Sequence, residues 1–146
     1  CDYSRKTYPL ITRLAERYNA NMVYLEYPVK LNSDYLNQVG YCAYRQDPAK
    51  YWQMNDLLFS TDKGNLENQQ FIEDSLTRLG LDMPTLDACV NDPQTETVVQ
   101  QQLEEIRGTN FYGTPTVFLG GDVFVGPKPY RVYAISLKGF FYWLRR

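Results

Sequence analysis

Histidine is missing from this sequence altogether. Its absence removes Ser-His-Asp and Cys-His catalysis and takes away the commonest zinc ligand. The three cysteines are widely separated and make a poor metal set, so no metal is expected. No run of about twenty apolar residues exists, so no segment is built to span a bilayer. The terminal "GFFYWLRR" is too short for that and reads as the end of an amphipathic helix. A basic stripe is also lacking. The net charge is -2 and the basic residues look scattered, which excludes nucleic acid as an expected partner. Repeats, low-complexity tracts and linkers are absent. No signal peptide is visible, although a chain that begins at Cys1 can already have lost one.

What is present suits one folded domain over 1–146. That length can bury a single sizeable core, and hydrophobic and charged fractions of 44% and 22% are ordinary for a globular chain. Aromatics reach 15%, with thirteen tyrosines available for core edges or a binding groove. "YSRKTYPLITRLAERY" puts Tyr3, Leu10, Leu14 and Tyr18 near one helix face, with a kink expected at Pro9. "NMVYLEYPV" (21–29) is β-rich and reads as a strand ended by Pro28.

A helical block follows. Ser33 can cap a helix carrying Leu36, Val39 and Ala43, and Asp47-Pro48 pairs a capping residue with a first-turn proline. Ile72, Leu76 and Leu79 continue the helical period up to Gly80, and a short helix near 84–90 holds Cys89. Asp92-Pro93 restarts a helix with Val99, Leu103 and Ile106 inward. "TPTVFLGGDVFVG" then gives a hairpin signal across Gly120-Gly121. The last segment returns to helix period with Tyr133, Leu137, Phe140 and Leu144 on one side. The fold class is α/β.

Two places could carry chemistry. Cys1 starts the first helix, where unpaired N–H groups and the helix dipole favour a thiolate and can lower a thiol pKa from about 8.5 to roughly 3.5–7.5. Arg5 and Lys6 add positive charge nearby, and Asp2 opposes it. Against this stand an ordinary terminal cysteine and a lipid-bearing cysteine of a processed lipoprotein. Pro115, entering a strand after Gly113-Thr114, is either a cis proline in a deliberate turn or a trans proline on an edge strand.

Together these stretches resemble a family. "CDYSRKTYP" is similar to the C-x-x-C turn and kinked helix of DsbA-like thioredoxin-fold oxidoreductases, with "YCAYRQDPAKYWQMNDLLF" and "LGLDMPTLDACV" resembling their helical insertion. "GTPTVFLGG" resembles the cis-proline loop with its strand, and "VGPKPYRVY" the lead-in to the last helix. The resemblance implies a thioredoxin-like fold with a helical insertion, about 32–108, between the second strand and the cis-proline strand. The family's first strand precedes the active-site turn. Here the sequence starts at Cys1, so that strand is expected to be missing or the fold completed differently.

By position, Cys1 matches the nucleophile and Ser4 the resolving cysteine. Asp2 and Tyr3 fill the turn, and Gly113, Thr114 and Pro115 form the loop that receives substrate. A serine cannot resolve a mixed disulfide, so a Cys1–substrate bond should persist until another thiol arrives. Ser4 is then either a replacement that traps partners or the mark of a natural monothiol exchanger.

The resemblance implies thiol–disulfide exchange outside the cytoplasm, with no bound cofactor, free or tethered to a membrane. It also implies cysteine-containing substrates and, for the C-x-x-C form, a quinone-linked partner of the DsbB or VKOR type. A monothiol isomerase or reductase using glutathione stands as an alternative, as does a binding or chaperone module that has lost its chemistry.

Cys42 and Cys89 are either two buried free thiols or a structural disulfide between insertion helices. The disulfide would close a loop of about 47 residues, worth on the order of 3–4 kcal/mol. Glu26 is either a solvated or hydrogen-bonded strand residue or a buried carboxylate that moves protons near the thiol. Tyr112 is placed beside the groove.

Overall fold

The computed structural model describes residues 1–30, 33–109 and 111–144, with side chains through Gly139. The chain divides into two compact units, Cys1–Leu25 with Asn110–Arg146, and Glu26–Thr109.

The first unit is built from α1 (Asp2–Tyr18), β1 (Thr116–Leu119), β2 (Asp122–Val125) and α8 (Tyr130–Leu144). Helix α1 runs on through Pro9 and ends where Asn19 turns left-handed at φ 48, its N–H closing back on Ala15 or Glu16. Leu14 is buried against Tyr133, Ala134 and Leu137 of α8, with Leu10, Ile11 and Tyr18 at the margin. Tyr3 does not join them. It lies in the first turn, beyond the reach of this core, and is 57% exposed.

Gly120 and Gly121 take φ +59 and +95, the positive values a two-residue hairpin turn needs. They set the antiparallel register Val117↔Phe124 and Phe118↔Val123. Val117, Leu119 and Phe124 then face the core, where the Phe124 ring meets Tyr133 edge-on at 5.3 Å. Ser136 Oγ on α8 donates across to Leu119 O at 3.1 Å, and the Tyr133 hydroxyl accepts from Lys128 N–H at 3.0 Å. Phe140 and Leu144, expected inward, lie outside the described side chains.

The second unit is helical: α2 (Ser33–Gln46), α3 (Pro48–Ser60), α4 (Lys63–Leu66), α5 (Gln69–Arg78), α6 (Met83–Val90) and α7 (Pro93–Arg107). Aspartates mark most of the starts. Asp47, Asp82 and Asp92 each accept a first-turn N–H, and each precedes a proline at the first or second helical position. Ser33 is already inside α2, and its hydroxyl engages the Lys30 backbone. Val39, Ala43, Met54, Ile72, Leu76 and Leu86 form the interior. A disulfide joins Cys42 of α2 to Cys89 of α6. On the same seam the Gln46 amide both accepts from Asp82 N–H at 2.7 Å and donates to Asp82 O at 3.1 Å.

One expected element is corrected. Residues 21–29 carry no strand. β-branched and aromatic residues there suit an extended backbone, but a strand also needs a neighbour to complete its hydrogen bonds. Among the described residues the sheet is β1–β2 alone, and Val23 and Leu25 stand 82% and 65% exposed.

Candidate functional site

Cys1 is the N-cap of α1. Its carbonyl accepts the Arg5 N–H at 3.0 Å, while its side chain makes no capping bond. The thiol instead lies against the loop that leads into β1, with Sγ donating to Thr114 O at 3.6 Å. The proton in that contact must leave before the sulfur can attack, because the thiolate is the nucleophile.

The loop is held from both sides. Thr116 Oγ1 donates to Gly113 O at 2.6 Å, and Gly126 N–H donates to Pro115 O at 2.9 Å. The Thr114–Pro115 peptide is cis. Gly113 takes φ +149, which side-chain-bearing residues rarely adopt, and the space beside its Cα is open.

Ser4 follows Cys1 by one helical turn and is half-buried, on the same helix face by the i, i+3 spacing. Asp2 and Tyr3 point outward and are exposed. Tyr112, two residues ahead of Thr114, is 78% exposed. Cys42 and Cys89 belong to the helical unit, where their disulfide removes them from exchange as free thiols.

Glu26 proves to be neither solvated nor in a strand. Its carboxylate packs on Gly40 in the middle of α2, where a Cβ would overlap it. Oε2 is shielded from water and has no hydrogen-bond partner, while the Tyr51 hydroxyl bonds the carboxylate. Burial pushes its pKa from 4.5 to about 8, and the Tyr51 bond only partly opposes this. A glycine inside a helix marks a close approach, so Gly40 was the sequence signal for this contact.

A stability consequence follows. The folded state holds the Glu26 proton more tightly than the unfolded chain, so Glu26 costs nothing below about pH 4.5. Its penalty grows as pH rises to about 8, and then levels off. Part of the residue remains in water, which trims the cost to roughly 2 kcal/mol. Glu26→Gln should match the parent in urea unfolding at about pH 3.5 and exceed it by that amount at pH 8. Parallel pH profiles for the two proteins would contradict the buried carboxylate.

Among the described residues no three His, Cys, Asp or Glu side chains are grouped to hold a metal ion. Nor is any helix there long and apolar enough to cross a membrane.

The architecture has a solved counterpart in Proteus mirabilis ScsC, a crystal structure in a compact conformation. The two superpose with a TM-score of 0.74 at 19% identity, over 97% of this chain and 77% of that one. At that identity the likeness carries the fold: thioredoxin-type α/β, mostly helical, with a small two-stranded sheet and a helical insertion. No curated protein sequence matches the chain. A family match runs over residues 5–138, which leaves Cys1–Ser4 just outside it. By that match, which spans most of its length, the chain belongs to the family of DSBA-like thioredoxin domains.

Proposed function

We propose that the chain performs thiol–disulfide exchange through Cys1 in an extracytoplasmic compartment, as one functional domain in which about 32–108 is the insertion. The observation that carries this reading is the Cys1 Sγ lying 3.6 Å from Thr114 O, on the loop that leads into β1. In the proposed step the Cys1 thiolate attacks one sulfur of a substrate disulfide. A Cys1–substrate disulfide forms, the old S–S bond breaks, and the other sulfur leaves as a thiolate.

Ser4 stands in the resolving position. Its hydroxyl cannot displace the substrate, so release requires a thiol from solution. This favours two roles for the chain: a trap that holds its partner, or a monothiol exchanger that uses glutathione. With a cysteine at position 4, reoxidation would fall to a membrane quinone-linked partner of the DsbB or VKOR type. The Cys42–Cys89 disulfide supports an oxidising compartment.

The test is to incubate the reduced chain with a disulfide-bearing polypeptide, quench with acid and map the adduct by mass spectrometry. One adduct per chain is expected, on Cys1, and none in Cys1→Ala. An adduct that survives Cys1→Ala overturns the proposal.

A further inference from the structure

The two units carry opposite charge. Among its described residues, the unit Cys1–Leu25 with Asn110–Arg146 holds seven lysines and arginines against three carboxylates (Asp2, Glu16 and Asp122), a net of +4. Glu26–Thr109 holds six against fourteen, a net of -8. The value for the whole chain, -2, conceals this division. Lys6, Arg13, Arg17, Arg131 and Lys138 are all exposed, so the charge of the first unit faces solvent.

Distance decides which of these charges act at the thiol. Arg5 and Lys6 lie four and five residues along α1 from Cys1, about 6–8 Å at the helical rise. That is within the screening length of about 8–10 Å at physiological salt. Arg13 and Arg17 lie beyond it and contribute mainly to the long-range field at low salt. Asp2 offsets only one of the two near cations.

We infer that the site selects cysteine-bearing polypeptide segments in which acidic residues flank the cysteine. This rests on the reading of Cys1 as the exchanging thiol, and it names the substrate class. A positive unit around a reactive group concentrates anionic partners and speeds their encounter, and the gain falls with ionic strength. Cationic segments are slowed by the same field.

Three peptides of equal length test the inference, each carrying a central cysteine as a 2-thiopyridyl mixed disulfide, flanked by Glu, Gln or Lys. The Cys1 thiolate attacks the peptide sulfur, a Cys1–peptide disulfide forms, and 2-thiopyridone leaves and is followed by absorbance. At about 0.1 M ionic strength, where charges within about 10 Å of the thiol dominate, the Glu peptide should react about threefold faster than the Lys peptide, and the ratio should approach one near 1 M salt. Lys6→Glu combined with Lys138→Glu should shrink the Glu-to-Gln rate ratio.

Equal rates for the Glu and Lys peptides at low salt, with a reactive Gln peptide, overturn the inference. Equal rates together with sedimentation on phosphatidylglycerol vesicles overturn it in favour of a lipid surface. Release no faster than from Cys1→Ala for all three peptides overturns the exchange reading itself.

Discussion

Ser4→Cys shortens the life of a Cys1–substrate disulfide by a factor of about 10³ or more, compared with the parent chain resolved by about 1 mM added thiol. Effective concentration sets this factor. In the parent, the displacing thiolate must arrive from solution. In Ser4→Cys it sits one helical turn away on the same face, and a neighbouring group held in place acts at an effective molarity of about 1 M or far above. The product also changes: the substrate leaves as a thiol and a disulfide forms between positions 1 and 4. Acid-quenched time courses read both. Prompt release by the parent without added thiol would show that Ser4 is no obstacle to resolution.

Replacing Cys42 and Cys89 together by alanine lowers stability by about 4 kcal/mol. The disulfide spans 47 positions, and closing a loop of that length in the unfolded chain accounts for this figure. Cys42 is buried, so losing its sulfur adds to this figure. At this chain size the loss corresponds to a melting point lower by about 10 °C. Reducing the parent should produce the same drop, and reducing the double variant should change nothing further. A loss under about 1 kcal/mol would mean that the pairing of the Gln46 side chain with the Asp82 backbone holds α2 to α6 unaided. Adduct formation at Cys1 should persist in the double variant.

Local signals in the sequence were sound where the chemistry was itself local. Asp47-Pro48 and Asp92-Pro93 predict helix starts because a carboxylate and a proline act on their own first turn, and both start helices. Gly120-Gly121 predicts the hairpin because the turn needs positive φ at two adjacent residues. The stretch 21–29 misleads because β-propensity describes fit to a pleated surface and says nothing about whether a neighbour exists. α4, a single turn at Lys63–Leu66, is too short to leave a period.

The candidate site was legible only in part. Cys1 and Thr114 stand 113 positions apart, and no period or propensity links them. Only the resemblance to a family paired them. The charge division was invisible for a related reason. The basic unit is assembled from the two ends of the chain, so its excess of cations shows only when residues are counted by unit. Glu26 looked like an ordinary strand residue because its burial comes from Gly40, fourteen positions away on another element.

The central claim is that Cys1 is a working nucleophile. It is tested most directly by the rate at which the reduced chain attacks a small neutral disulfide at about pH 6, beside free cysteine under the same conditions. A thiol at the start of a 17-residue helix should react at least about tenfold faster than a free thiol, which is almost wholly protonated at that pH. Cys1→Ala should abolish the reaction. A rate equal to that of free cysteine, with substrate binding undiminished in Cys1→Ala, would contradict the account and leave a binding module in its place.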